Sequence, residues 1–394
     1  MGERAVILGA GNVGRGFLGQ LFAESGYHVT FVDVDRPLVD ALRADGAYTL
    51  RLAENAGTAE VRVGPVTALL AGDSGAVAEA LAGARLAATA VGVRALPHIA
   101  PLLAEGVRLR AERGVREPLN VIVCENLKDA ARHVRGLLAE RLDPAGRAYL
   151  AERVGLVDTV IGRMVPEVPA ALRAAQPTLA IAEPYKELPV DRAGFVGPVP
   201  DVVGMEPADD FAVYTARKLY LHNAGHAVLG YLGYRKGLAL GYEALEDPDV
   251  RRILDGALEE AVRGIAARYA ADEGWLRAHV ADLLRRFANR ALADPVVRLA
   301  RDPLRKLAPE DRLVGAARVA ERAGQIPVHL AWGIAGALAY DEPSDPLAVA
   351  LQERIAAQGV EGVMEEVSGI GRAEALGVAV VTRHRILREG GPWA

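Results

Sequence analysis

Arg4-Ala-Val-Ile-Leu-Gly-Ala-Gly-Asn-Val-Gly14 is the stretch whose reading decides the fold. Arg4 to Leu8 is an apolar run of strand length, and it ends in a glycine turn. A helical pattern follows from Asn12 to about Ser25. A second apolar run, His28 to Val32, closes at Asp33. Strand, glycine turn, helix, strand and acid in this order predict a dinucleotide-binding βαβ unit. Gly9 allows the tight turn, Gly11 lets the backbone approach a pyrophosphate, and Gly14 lets helix and strand pack closely. Asn12 and Val13 stand at the helix start, whose free N–H groups suit a phosphate. Asp33 is expected to bond ribose hydroxyls and repel a 2′-phosphate, which favours NAD over NADP. Arg36 is near enough to weaken that preference.

Working outward, Tyr48 to Leu52 and Ala59 to Val63 alternate polar and apolar around Asn55-Ala-Gly57, predicting a hairpin inserted in the domain. Ala87 to Val91 reads as a buried strand closing at Gly92. Its C-terminal end belongs at the crevice where a dinucleotide lies, so Val91 and Gly92 join the cofactor candidates. Leu119 to Cys124 is another buried strand, delivering Glu125 and Asn126 to the same edge. Asn126 is a candidate hydrogen-bond donor to substrate, or equally a turn or cap residue. Val154 to Pro166 and Thr178 to Glu183 read as further strands at the sheet edge. Residues 191–200 are rich in Gly and Pro without periodicity, which places a domain boundary there. The expected organisation is a doubly wound α/β Rossmann-type domain over 1–195. A mostly α-helical substrate domain follows over 196–394, with helical periods near 210–233, 250–270, 276–292, 313–324, 328–339 and 346–358.

The chain has 394 residues, 51% of them hydrophobic, enough for two sizeable cores. Its net charge of −5 argues against nucleic acid as the main partner. The single cysteine, Cys124, leaves no internal disulfide framework and fits a reducing compartment. The first residues run straight into a strand pattern, predicting no signal peptide, and no apolar run reaches the length of a membrane span. These features together predict a cytoplasmic protein, a monomer or small homo-oligomer.

The helical half carries Lys218-Leu-Tyr-Leu-His-Asn-Ala-Gly-His226 inside one apolar helix. At ~100° per residue, Asn223 lies ~140° and His226 ~80° from Lys218 around an α-helix, so the three share one broad sector. A lysine in a core-like helix is costly unless used, because burial disfavours its charge. The same shift makes it a proton carrier near neutral pH. Lys218 is thus the candidate acid/base. Asn223 and Asn126 are candidate donors to an oxygen gaining charge, and His226 is positioned to orient substrate or lysine. Of the eight histidines, only His222 and His226 share a helix at i,i+4, and no Glu, Asp or Cys completes a zinc site at recognisable spacing, so no metal is expected. Arg298, Arg301, Arg305, Lys306 and Arg312 cluster around Asp302-Pro-Leu304, a group suited to a phosphate or carboxylate on a small substrate.

These motifs resemble the polyol-specific long-chain dehydrogenase/reductase, or mannitol dehydrogenase, family. The resemblance rests on Lys218, Asn223 and His226 as Lys-x4-Asn-x2-His, and on Gly9 to Gly14 followed by Arg15-Gly16. It rests also on Cys124 to Asn126, Arg217-Lys-Leu219, Arg286-Phe-x-Asn289, Pro303 to Leu307 and Asp311 to Leu313. It implies NAD-dependent, metal-independent interconversion of fructose 6-phosphate and mannitol 1-phosphate. It implies Lys218 as acid/base, Asn126 and Asn223 at the oxyanion, and His226, Asn289, Arg298 and Lys306 on the substrate. Arg305 stands where the branches using free polyols tend to lack arginine, which makes it the first choice for a phosphate. Three positions depart from the family pattern: Gly162 replaces an acid before Arg163, His222 an apolar residue, and Arg290 a proline. An unphosphorylated polyol or a hexuronate is the alternative substrate. A non-catalytic NAD sensor is disfavoured, since it would not need Lys218, Asn223 and His226 together.

Overall fold

The computed structural model describes residues 2–393. The chain divides into two compact units, Met1–Phe211 and Ala212–Ala394.

The first unit is built on strands β1 (Arg4–Leu8), β2 (His28–Asp33), β3 (Tyr48–Glu54), β4 (Gly57–Val63), β5 (Val66–Leu70), β6 (Leu86–Thr89), β7 (Leu119–Val123), β8 (Val154–Asp158), β9 (Ala180–Ala182), β10 (Leu188–Asp191) and β11 (Met205–Ala208). Six form one sheet in the order β5-β2-β1-β6-β7-β8. Every pairing in it is parallel, with Arg4 opposite His28 and Ala5 opposite Leu86. Counting only its own strands, this is the 3-2-1-4-5-6 order of a dinucleotide fold. Ala5 and Ile7 enter one core with Phe31, Ile122 and Val157, while Val6 and Leu8 enter a second with Leu103, Val121 and Val123. Both sheet faces are covered by helices, which is why the strands read as unbroken apolar runs rather than alternating ones.

β3 and β4 pair antiparallel from Tyr48–Val63 to Glu54–Gly57, the expected hairpin. β9 joins that hairpin, with Leu50 opposite Ala180, rather than the edge of the parallel sheet. Apolar content marks a strand but does not name its neighbour. The expected strand 154–166 stops at Asp158, and only Thr159 continues it as an isolated bridge to Val190. Residues 196–211, given to the second domain by composition, sit in the first unit. β11 pairs with β10, and the Asn120 side chain both donates to Val196 O (3.2 Å) and accepts from Val196 N (2.9 Å).

The second unit is helical among the described residues. Its long helices are Ala224–Arg235, Pro248–Tyr269, Glu273–Phe287, Val314–Arg322, Leu330–Leu338, Pro346–Ser368 and Ala375–Glu389. Pro346–Ser368 runs past the expected end because it resumes after a break at Gly359, where φ is +79°. The run expected from Asp210 to Gly233 is helical throughout but not uniform: Lys218–Asn223 forms a π turn between Phe211–Arg217 and Ala224–Arg235.

Candidate active site

In the first unit, the fingerprint turn is as tight as its glycines suggest. Gly9 has φ +103°, and a Cβ there would stand 2.3 Å from Ala90 O. A Cβ on Gly14 would stand 2.0 Å from Gly9 O, while one on Gly11 meets nothing within 4 Å. The loop therefore packs on its inner side and leaves open backbone at Gly11, the shape that admits a pyrophosphate. Asp33 takes three backbone donors: Ala10 N at 2.7 Å, Val34 N at 2.7 Å and Asp35 N at 3.0 Å. It locks the end of β2 to the glycine loop. Asn12 and Val13 open the helix, and Gly92 follows β6 with φ +86°.

Three side chains that sequence reasoning gave no role hold this edge. Arg15 is buried and donates from Nε to Ala10 O (2.5 Å) and from Nη1 to Thr178 O (2.6 Å) and Leu179 O (3.1 Å). Its own carbonyl accepts from the Tyr48 hydroxyl at 2.5 Å. The Arg-Gly after the fingerprint is thus a clamp tying the loop to the approach of β9. Glu125 is buried and accepts from Val91 N at 3.0 Å, so it fixes the turn after β6; burial pushes its carboxyl up. Arg163, also buried, donates to Glu183 O at 2.5 Å and Gln20 Oε1 at 2.7 Å. Their signal in the sequence was only a charged residue in an apolar setting. Asn126 lies exposed just beyond β7.

In the second unit, Lys218, Asn223 and His226 are all partly exposed, whereas Leu221, His222, Ala224 and Gly225 are buried. Lys218 is therefore less enclosed than the sequence suggested. The π turn also changes its geometry: residue i+5, not i+4, comes one turn above residue i. Ala224 N donates to Leu219 O in this manner. Asn223 thus stands one turn above Lys218, closer in phase than an α-helix would place it. The His226 ring stacks on Phe287 with centroids 4.1 Å apart and planes at 30°. His222 meets His226 edge-on at 4.9 Å. Among the described residues no group of three or more His, Cys, Asp or Glu could hold a metal ion.

Positive charge surrounds His226. Burial lowers its pKa well below the usual imidazole range, and Lys218, Arg298, Arg286 and Lys306 act in the same direction. Lys218, Arg298 and Lys306, distant in sequence, thus all act on one imidazole. Lys306 is 4% exposed, its Nζ donates to Leu299 O and lies 5.4 Å from the Tyr231 ring centroid, and burial pushes it down to about 6, helped by Arg312 and Arg305. Arg298 forms a two-point pair with Asp294. Arg305 is half-exposed and donates from Nε to Asp302 at 2.7 Å, with Asp311 at 4.0 Å. Arg301 is exposed. The Asn289 side chain accepts from Ala291 N at 3.1 Å, capping a short turn.

Residues 3–204 match the description "Mannitol dehydrogenase Rossmann domain", and residues 210–384 match "Mannitol dehydrogenase C-terminal domain". The chain belongs to the mannitol dehydrogenase family. As such it is an oxidoreductase of the polyol dehydrogenase class. The chain is 39% identical to the mannitol-1-phosphate 5-dehydrogenase of Bacillus licheniformis over 379 residues, covering 96% of this chain and 98% of that one. It is 37% identical to the protein of the same name from Bacillus subtilis, over 96% and 99%. Among solved structures, a substrate-free D-sorbitol dehydrogenase superposes with TM-score 0.82 at 19% identity, covering 99% of this chain and 94% of the other. Pseudomonas fluorescens mannitol 2-dehydrogenase, in ternary complex with NAD and D-mannitol, gives 0.72 at 19% identity, over 99% and 93%. These two show the shared fold.

Two departures from the mannitol dehydrogenase pattern have local explanations. A Cβ on Gly162 would stand 2.9 Å from Tyr185 Cε1, so the tyrosine fills the room an acid there would need. Tyr185 donates its hydroxyl to Glu187 at 2.7 Å, which brings a carboxylate near by another route. Arg290, in place of proline, pairs with Glu246 at 2.5 Å and lies 5.0 Å from the Tyr242 ring centroid.

Proposed function

We propose that this family member is NAD-dependent, needs no metal, and interconverts fructose 6-phosphate and mannitol 1-phosphate. The observation that carries the reading is the π turn that stacks Asn223 above Lys218 beside His226, in a chain whose curated relatives are named mannitol-1-phosphate 5-dehydrogenases. NAD supplies or accepts the hydride, and Gly9, Gly11, Asn12, Val13, Gly14, Asp33, Val91 and Gly92 are the residues that would hold it. During reduction the Lys218 ammonium gives its proton to the carbonyl oxygen of the ketose. During oxidation neutral Lys218 takes the proton from the hydroxyl. The Asn223 amide donates to the same oxygen as charge develops, which lowers the barrier because the donor is already in place. Asn126 is assigned an oxygen-binding role by its motif alone.

His226 is neutral, since burial and its cationic neighbours disfavour a proton on it. It binds and orients the sugar as a dipole rather than a charge. Arg298, Arg305, Lys306 and Asn289 form the substrate group, with Arg305 taking the phosphate. One observation favours a free polyol or a hexuronate instead: the Asp302 carboxylate already occupies Arg305. The readings separate in an NADH-oxidation screen over fructose 6-phosphate, fructose, other ketose phosphates and hexuronates. Fructose 6-phosphate is expected to give the highest kcat/KM. A higher value for fructose or a hexuronate would overturn the phosphate assignment.

A further inference from the structure

Ala10, in the fingerprint turn, is held at both of its backbone polar groups. Its N–H donates to Asp33 Oδ2 at 2.7 Å, and its carbonyl accepts from Arg15 Nε at 2.5 Å. Ala10 is buried, so its carbonyl is drawn toward the interior. A trans peptide is planar, and its C=O and N–H point to opposite sides. Ala10 C=O and Gly11 N–H belong to one such plane. Drawing the carbonyl inward therefore turns Gly11 N–H outward. Gly11 is exposed, and a Cβ on it would meet nothing within 4 Å. Among the described residues its N–H has no backbone partner. An outward N–H beside open space at a helix start suits a phosphate oxygen.

Arg15 is itself firmly seated. Its side chain is buried, and Nη1 donates to Thr178 O at 2.6 Å and Leu179 O at 3.1 Å. Its main chain lies in a π turn, Gly14–Leu18, in which Gly19 N reaches back five residues to Gly14 O. Arg15 O, the acceptor that an α-helix would give to Gly19 N, takes the Tyr48 hydroxyl at 2.5 Å. Two glycines make room for this register. A Cβ on Gly16 would stand 2.5 Å from Val165 Cγ1, and one on Gly19 2.4 Å from the Tyr48 hydroxyl. The bonds to Thr178 and Leu179 anchor the guanidinium, and the Nε bond carries that anchorage to one peptide of the loop.

We propose that Arg15 is a positioning residue for the cofactor: its Nε holds Ala10 O inward, so that Gly11 N–H faces the pyrophosphate. Without that bond the Ala10–Gly11 peptide is free to rotate, and the donor is no longer in place before the cofactor arrives. The inference rests on this chain binding NAD through the Gly9–Gly14 turn.

The test is the Kd for NADH, measured by calorimetry on the free enzyme, with KM for NADH and thermal unfolding beside it. Arg15→Met keeps the reach of the side chain without its donors. It should raise Kd about tenfold, the worth of about one hydrogen bond to a charged group. KM for NADH should rise in step, while kcat falls far less. Arg15→Gln places its amide nitrogen as many bonds from Cα as Nε and ends there. It should bind NADH nearly as wild type, although it melts lower, as Arg15→Met does, for want of the bonds to Thr178 and Leu179. Arg15→Lys puts a methylene at the Nε position and an ammonium beyond it. It should bind as weakly as Arg15→Met, and it stands as the test if the methionine variant does not fold. Wild-type affinity in Arg15→Met or Arg15→Lys overturns the proposal, because the Ala10 bond is then not needed. A loss in Arg15→Gln equal to that in Arg15→Met also overturns it, because affinity then follows stability rather than the donor at Nε. A wild-type enzyme that does not bind NADH overturns the cofactor reading and this inference together.

Discussion

The His226 imidazole lies on the Phe287 ring, 4.1 Å between centroids, and this contact joins a helix of the Lys218 motif to the end of the helix Glu273–Phe287. Because His226 is neutral, the stack is an offset contact of two aromatic faces rather than a cation on a ring. Phe287 thus fixes the plane of the imidazole. Phe287→Leu keeps a buried apolar side chain but removes the face. We expect a loss of about 1–2 kcal/mol of stability. On the role proposed for His226, kcat/KM for the sugar should fall about tenfold, with KM for NADH near wild type, because misplacing a group that orients substrate is felt in turnover. Steady-state kinetics and thermal unfolding check both.

Arg305 donates to Asp302 while remaining half-exposed, so its guanidinium still has an open edge. Arg305→Ala is expected to raise KM for fructose 6-phosphate by about 10- to 100-fold, the worth of a charge-assisted bond. KM for unphosphorylated fructose should stay nearly unchanged. Equal effects on both sugars would remove Arg305 from the phosphate site.

Lys306 gives a pH dependence of stability. Its pKa is lowered by burial from 10.5 to about 6 in the folded chain. Between those values the unfolded chain binds a proton that the folded chain does not, so stability rises with pH across that window. Below about 6 both states are charged and the penalty is complete. Lys306→Met removes the group. Denaturant melts at pH 6, 7.5 and 9 should show a shallower rise in the variant than in the wild type, with the variant's largest relative gain at the acid end.

Arg110 is 1% exposed and is a structural cation in the first unit. Its Nη1 donates to Leu81 O, Ala82 O and Ala84 O at 3.2, 2.9 and 2.7 Å, its Nε to the Tyr149 hydroxyl at 3.1 Å, and its Nη2 to Glu117 O. Arg110→Met would take this donor from the buried carbonyls of Ala82 and Ala84 and cost about 3 kcal/mol. Activity below the new melting temperature should persist, because none of these partners belongs to the candidate site.

The sequence by itself determined what is local. Residues 4–33 specify strand, tight turn, helix and acid through steric needs at Gly9 and Gly14 and an apolar period, all set by neighbours along the chain. The Lys218, Asn223 and His226 spacing was legible for the same reason. Tertiary structure decided what depends on a distant partner. β9 looked like any buried strand, and only pairing with Leu50 and Leu52 placed it beside the hairpin. The π turn at Lys218–Asn223 was invisible to a fixed 100° period, so the phase of Asn223 came out differently. Lys306 gave no sign of its burial, because neither the Tyr231 ring nor Leu299 O is adjacent to it in sequence. His226 and Phe287 lie about sixty residues apart, and their stack, which orients the ring, exists only once two helices have packed.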